Sequence, residues 1–259
     1  MSFKPKKYLG QNFLQDEEVL EAIITAADLK STDTVLEVGP GRGVLTRELI
    51  KHAKEVIAVE KDSSLLGPLK LEFDQIKNIK IINDDILKFH LEKNLPTDYK
   101  VVANIPYYLT SKLFQYFLET SHQPKLLILM VQKEVGERVV ASPGELSILG
   151  ISVQIYSDVE IIRHVSKESF WPVPEVDSVI LRIIPKNKYP EINDKKLFFR
   201  IIKMAFAGKR KQLQNSLANG LKLPKEKILD YLTKAQINPV MRPQDLSIED
   251  WIRLFSVFK

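Results

Sequence analysis

The 259-residue chain has no cysteine and only four histidines, ten glycines and two tryptophans. Without thiols there is no disulfide, no iron–sulfur cluster and no thiolate zinc site, so nothing calls for an oxidising compartment. The four histidines are scattered, and no bound metal is expected. No window approaches the apolar length needed to cross a bilayer, and the start Met1-Ser2-Phe3-Lys4-Pro5-Lys6-Lys7 lacks the apolar run of a signal peptide. A cytoplasmic protein without a membrane partner is the expectation.

What is present is the composition of a folded globular protein, 44% apolar and 27% charged. The net charge of +5 is unevenly spread. Residues 1 to 184 carry 22 basic and 26 acidic side chains, whereas residues 185 to 259 carry 16 basic and 7 acidic. A C-terminal quarter at +9 points to a polyanion partner, with solvated helix faces as the plain alternative.

Up to about residue 185, short β-branched runs alternate with helix-length segments. Residues 34–38, 55–60, 79–82, 100–103 and 126–131 are nearly continuous in apolar character, the pattern of parallel strands buried on both faces of a doubly wound sheet. Two more, 159–162 and 178–184, follow with no crossover helix between them, so they read as an antiparallel pair. An α/β fold with a seven-stranded sheet is the expectation. After the polar stretch Pro185-Lys186-Asn187-Lys188-Tyr189-Pro190, the period becomes 3.6, with helices expected at 195–206, 209–221, 225–234 and 247–258. Ser247 with Asp250 three residues on marks the start of the last. The expected domains are 1–187, catalytic, and 188–259, smaller and all-helical.

The first strand ends in Glu37-Val38-Gly39-Pro40-Gly41-Arg42-Gly43. Glycines at a strand-to-helix turn let backbone approach a ligand and present N–H groups at the helix start. A dinucleotide fingerprint would need a third glycine at position 44, which is Val44, so a nicotinamide oxidoreductase is disfavoured. The spacing resembles instead the first motif of S-adenosylmethionine-dependent methyltransferases. Glu60 ends the second strand, where a carboxylate can accept both ribose hydroxyls, and Asp84-Asp85 ends the third, where an acceptor can meet an adenine amino group. Acids at these places also cap helices; three ligand-type positions at the ends of three successive strands favour a cofactor pocket.

Asn104-Ile105-Pro106-Tyr107 follows the fourth strand. An amine on an aromatic base is a poor nucleophile because its lone pair is delocalised into the ring. The Asn104 side-chain oxygen and a nearby backbone carbonyl can accept both amino hydrogens and favour a pyramidal nitrogen, while Tyr107 offers a face to a flipped base. The amine becomes acidic once alkylated, so no strong base is required. An ordinary turn with buried aromatics is the structural alternative.

Asn-Ile-Pro-Tyr resembles the amino-methylating motif of adenine-N6 methyltransferases. Leu9-Gly10-Gln11-Asn12-Phe13-Leu14, Phe170-Trp171-Pro172-Val173-Pro174-Glu175-Val176-Asp177-Ser178 and Ala205-Phe206-Ala207-Gly208-Lys209-Arg210-Lys211-Gln212-Leu213 narrow the likeness. Together, over nearly the whole chain, they are similar to the ribosomal RNA adenine N6,N6-dimethyltransferases, specifically the housekeeping small-subunit branch associated with kasugamycin resistance. The resemblance implies a Rossmann-like class I methyltransferase using S-adenosyl-L-methionine. It implies that Asn12 and Leu14 close over the cofactor, Gly39 lines its methionine portion, Glu60 holds the ribose and Asp85 the adenine, with Asn104 beside the transferring methyl. Tyr107 and Phe170 would sandwich the target adenine, each face worth roughly 1 to 3 kcal/mol. For Trp171 a plain core-plug account stays open, and it is left outside the site.

The implied substrate is a pair of adjacent adenosines in a hairpin loop near the 3′ end of small-subunit rRNA, met within the assembling small ribosomal subunit by a monomer. Lys4, Lys6 and Lys7, and the cluster Lys203, Lys209, Arg210 and Lys211 near an expected helix start, would attract phosphates. Two departures stand out: Ser142-Pro143-Gly144-Glu145-Leu146-Ser147 is shorter than the family's segment, and Glu175 replaces a frequent lysine. The related large-subunit methyltransferase of macrolide resistance shares the cofactor motifs, but the C-terminal Ala-Phe-x-x-Lys-Arg-Lys stretch and Pro-Glu-Val-Asp-Ser favour the small-subunit branch. A non-catalytic RNA-binding assembly factor is disfavoured by intact Asn104, Tyr107 and Phe170.

Overall fold

The computed structural model describes Lys6 and residues 11–258. Lys4, Lys7, Leu9 and Gly10, to which the sequence assigns roles, lie outside the described residues. In chain order the elements are β1 (Phe13–Leu14), α1 (Glu17–Ala27), β2 (Thr34–Val38), α2 (Val44–His52), β3 (Glu55–Glu60), α3 (Ser63–Phe73), β4 (Ile79–Asn83), α4 (Leu91–Asn94), β5 (Tyr99–Asn104), α5 (Thr110–Leu118), β6 (Leu126–Gln132), α6 (Lys133–Val140), α7 (Ile148–Gln154), β7 (Ser157–Val165), β8 (Phe170–Trp171), β9 (Ser178–Pro185), α8 (Lys195–Phe206), α9 (Leu213–Leu221), α10 (Lys225–Lys234) and α11 (Ile248–Val257).

Seven strands form one sheet in the order β4-β3-β2-β5-β6-β9-β7. β2 to β6 are mutually parallel, and β9 lies antiparallel between β6 and β7. The strands expected from their apolar runs are present, and the last pair is antiparallel as anticipated. β2 is buried at every position, which is why it carries no alternation. Helix starts follow their local chemistry. Asp16 accepts the N–H groups of Glu18 and Val19 to open α1, and Asp62 accepts that of Ser64 to open α3. Strand order reverses between β2 and β5, the kind of place where open α/β sheets leave a crevice outside the strand ends.

The short ladder between β1 and β8 had no signal in the sequence. Phe13 pairs with Trp171 and Leu14 with Phe170, antiparallel, across more than 150 residues of chain. Successive side chains of a strand point to opposite faces. Leu14 and Phe170 accordingly share one face of this ladder and sit in the core with Val165 and Ile180, while Phe13 and Trp171 share the other.

The chain divides into two compact units: residues up to Glu137 with Ser157–Lys186, and Arg138–Tyr156 with the chain from Asn187 onward. The expected domain of 1–187 thus differs over 138–156, which groups with the second unit. The reason lies in contacts between residues distant in sequence: α7 packs on α8, Gly144 N–H donates to the Gln244 carbonyl at 2.9 Å, and the Lys195 ammonium sits 4.5 Å from the centre of the Tyr156 ring. Within the second unit, Phe198 and Phe255 meet edge to face and Trp251 stacks on Phe206. The Ser247–Asp250 capping box opens α11 as expected. One helix start is corrected. α9 begins at Leu213, not Lys209, because Gly208–Lys211 folds into a turn, with Lys211 N–H and Ser216 Oγ both donating to the Gly208 carbonyl at 2.7 and 3.0 Å. Lys209, Arg210 and Lys211 are exposed on that turn.

Candidate active site

A cavity of about 230 Å³ opens at the ends of β2, β3 and β5, lined by residues of the first unit including Asn12, Leu14, Gly39, Glu60, Asp85 and Asn104. These are the six positions the sequence singles out for cofactor binding, and the fold brings them together. Tyr107 also lines the cavity; Phe170 does not.

The glycine loop turns on three left-handed residues, Gly39, Gly41 and Gly43, with φ of 67°, 60° and 73°. The conformation alone favours glycine, and at two positions the space does too. A β-carbon on Gly41 would stand 3.1 Å from the Phe13 ring, and one on Gly43 would stand 2.9 Å from the Phe73 ring. Phe13 therefore lies directly on the loop, so the β1 strand roofs the cavity. At Gly39 an added β-carbon meets nothing within 4 Å, because that side is the cavity itself.

Glu60 is the anchor of the opposite wall. Its Oε2 accepts Gly41 N–H at 3.1 Å and its Oε1 accepts Asp62 N–H at 2.7 Å, so each oxygen keeps lone-pair capacity for a further donor. Burial raises its pKa, against the lowering effect of those N–H groups. Asp85 is held the other way: the Lys61 ammonium, 2.8 Å away, lowers its pKa and keeps it ionised, while Leu87 N–H donates to its Oδ1. Asp84 spends an oxygen on Asp85 N–H at 2.7 Å, so it orients its neighbour.

Deeper in the wall, Glu37 is 1% exposed and accepts the Thr46 hydroxyl at 2.7 Å. Burial pushes its carboxyl up to about 8, with Glu60 nearby adding to the rise.

Asn104 ends β5, where Ile105 N–H donates to the Met130 carbonyl of β6 at 3.2 Å and fixes the turn. Its amide nitrogen donates one of its two hydrogens to the Asn12 carbonyl at 3.3 Å, which orients the side chain, and Oδ1 is its acceptor. The Tyr107 and Ser178 hydroxyls lie 3.0 Å apart, tying the Asn-Ile-Pro-Tyr turn to the start of β9.

Sequence reasoning missed Asp62. Its side chain binds the Lys6 ammonium and the Gln11 amide at 2.7 and 2.8 Å, and Asp62 and Gln11 both line the cavity. The Asp62-Ser63-Ser64 run signals a helix cap; its long-range partners leave no trace in local sequence. Phe170 is 2% exposed and packs in the core cluster with Leu14, whereas Trp171, for which the sequence leaves a core-plug role open, is 41% exposed. Alternation along β8 allows one of the two inside, and the core takes Phe170.

The family model for ribosomal RNA adenine dimethylase matches residues 2–259. The chain belongs to this family. It is 44% identical, over 99% of its length and 89% of the relative's, to the ribosomal RNA small subunit methyltransferase A of Dehalococcoides mccartyi strain 195. It is 41% identical to the protein of the same name from Clostridium botulinum strain Okra, over 97% of the chain and 93% of the relative. Among solved structures, a dimethyladenosine transferase from Plasmodium falciparum superposes with a TM-score of 0.81 at 29% identity, covering 93% of this chain and 95% of that one. The 23S rRNA methyltransferase ErmE does so at 0.75 and 27%, covering 95% and 99%. The protein is a Rossmann-like methyltransferase of ribosomal RNA adenine, and membership implies S-adenosylmethionine as its methyl source. The cavity fits that molecule: a carboxylate with lone pairs for two hydroxyls, a second carboxylate on the next strand, and a glycine face open to a ligand.

Proposed function

We propose that this enzyme N6,N6-dimethylates two adjacent adenosines in a hairpin loop near the 3′ end of small-subunit rRNA, within the assembling subunit. The observation that carries it is Asn104: its amide is oriented by a hydrogen bond to Asn12, and its oxygen is an acceptor on a cavity with the acids a nucleoside needs. Relatives at 41 to 44% identity bear the small-subunit name, while the large-subunit enzyme stands at 27%.

In this reading Glu60 binds the ribose hydroxyls and Asp85 the adenine amino group, Gly39 gives room for the methionine portion, and Asn12 and Leu14 cover the pocket. S-adenosylmethionine supplies an electrophilic methyl group. Asn104 Oδ1 and a backbone carbonyl of the same turn accept the hydrogens of the target amine, turning its lone pair towards the methyl. Tyr107, half-buried at the cavity and held by Ser178, stacks on the extruded base. The proton leaves to water once the nitrogen is alkylated. The exposed Lys209-Arg210-Lys211 turn binds phosphates. We assign the protein to the cytoplasm as a monomer; among the described residues no helix is long and apolar enough to cross a membrane.

The test is incubation with labelled S-adenosylmethionine and under-methylated small subunits, followed by mapping. Dimethyladenosine at two neighbouring positions near the RNA 3′ end is expected. A folded, cofactor-bound protein that leaves those positions unmodified overturns the proposal.

A further inference from the structure

The side chain of Trp171 is large, apolar and 41% exposed, and the same loop leaves Val173 and Val176 exposed at 57% and 43%. Exposed apolar side chains gathered in one short loop are a place where a partner can bind. Its position in the fold says what. Trp171 pairs with Phe13 and so shares its face of the β1–β8 ladder, and the Phe13 ring lies against Gly41 at the cavity. Trp171 thus stands on the cavity side of the ladder, while Phe170 faces the core.

The other end of the loop is tied to the catalytic turn. The loop closes at Ser178, whose hydroxyl is 3.0 Å from that of Tyr107, and Asn12, the residue before Phe13, accepts from Asn104. Residues 171–177 therefore run between two anchors, both fastened to the Asn-Ile-Pro-Tyr turn. Two exposed residues line the cavity, Tyr108, next to Tyr107, and Lys112, on the first turn of α5; Trp171 itself lies outside that lining. The rim combines aromatic faces with an ammonium group, which suits unpaired nucleotides, whose bases stack and whose phosphates carry charge.

We propose that Trp171 is an RNA-contacting residue: its indole stacks on an unpaired nucleotide neighbouring the adenosine being methylated, and so positions the substrate strand over the cavity. This rests on the proposed RNA-loop substrate, and assigns to Trp171 a role towards the flanking strand, outside the methyl-transfer machinery.

The protein offers its own probe. It has two tryptophans, and Trp251 is 1% exposed in the second unit, stacked on Phe206. In the full-length Trp251→Phe variant, Trp171 is the sole indole. Titration with an RNA hairpin carrying adjacent loop adenosines is expected to quench its emission saturably, and a blunt RNA duplex without a loop is expected to leave it unchanged. Trp171→Ala is expected to raise the RNA KM by roughly tenfold or more, the scale of removing one stacked ring, with kcat at saturating RNA, cofactor Kd and Tm near those of the parent. Trp171→Phe should restore most of the affinity. An emission insensitive to the hairpin overturns the proposal, as does an unchanged KM in Trp171→Ala. A shift in emission with protein concentration alone would mean that a second copy covers the indole, and would also overturn it. If dimethyladenosine is produced while KM is unmoved, the proposed function survives and this inference fails; if no variant methylates the RNA, the proposed function fails first.

Discussion

The Lys6 ammonium lies 2.7 Å from Asp62 Oδ1, just past the end of β3 and fifty-six residues away in sequence. Gln11 donates to the other carboxylate oxygen at 2.8 Å, and Asp62 also caps α3 through Ser64. Burial alone would raise this carboxyl, but the hydrogen bonds from Lys6, Ser64 and Gln11 outweigh it and bring it down to about 2. A carboxylate this well satisfied is a fixed post, and what it holds is Gln11, two residues before β1, the roof of the cavity.

Asp62→Asn keeps an oxygen for the cap and removes the charge that Lys6 binds. We expect S-adenosylhomocysteine affinity, measured by calorimetry, to fall by about tenfold, the scale of one charge-assisted hydrogen bond. A depressed carboxyl contributes stability that is present above its unfolded pKa near 3.8 and lost as pH falls through about 2. Parent Tm should therefore decline between those pH values more steeply than that of the variant.

Glu37 has the opposite sign. Its folded pKa of about 8 lies above the ordinary 4.5, so its contribution to stability is present below 4.5 and is lost as pH rises to about 8. Glu37→Gln keeps an acceptor for Thr46 and cannot ionise. Thermal melts across that window should show a smaller loss of Tm with rising pH for the variant than for the parent.

The glycine loop separates conformational from steric cost. Gly43→Ala brings a methyl to 2.9 Å from the Phe73 ring in addition to the left-handed backbone, and should lower stability by about 1–3 kcal/mol in urea titrations. Gly39→Ala meets no atom within 4 Å and should cost less stability, yet its methyl enters the cavity. Cofactor affinity should fall in Gly39→Ala by more than its stability loss accounts for.

Asn104→Ala removes the acceptor assigned to the target amine. Turnover should be abolished, with cofactor Kd within a few-fold of the parent. Equal loss of both would move Asn104 from the reacting amine to the cofactor.

The Lys209-Arg210-Lys211 turn is solvent-exposed. Replacing all three with Ala should weaken RNA binding at every sequence tested and flatten the salt dependence, by roughly 0.7–0.9 in the slope of log K against log salt for each phosphate no longer neutralised. Cofactor binding by the variant should be unchanged.

Much of the fold was legible because its signals are local. Parallel strands buried on both faces must be apolar along their length, so Val35-Leu36 and Leu126 to Val131 declare themselves, and a cap such as Ser247 with Asp250 satisfies N–H groups within one turn. The wall of the cavity was legible for a related reason: Gly39, Glu60, Asp85 and Asn104 each stand at or just past a strand end, and in a parallel sheet those ends converge. The helix start expected at Lys209 moves to Leu213 because the Gly208 carbonyl recruits Ser216 from the following turn. The grouping of 138–156 with the C-terminal unit has no local signal because its partners, α8 and Gln244, are distant in sequence.

By itself, then, the sequence determined the sheet, the glycine turn and the residue types standing at each strand end, since these depend on side-chain type and on neighbours a few residues away. Only the tertiary structure decided which aromatic is buried and which faces outward at the β1–β8 ladder, and which carboxylate binds Lys6 and Gln11. Phe170 and Trp171 are adjacent and both apolar, so composition cannot choose between them. The register that sets Leu14 opposite Phe170 and Phe13 opposite Trp171 makes the choice, because neighbouring side chains on a strand must leave by opposite faces.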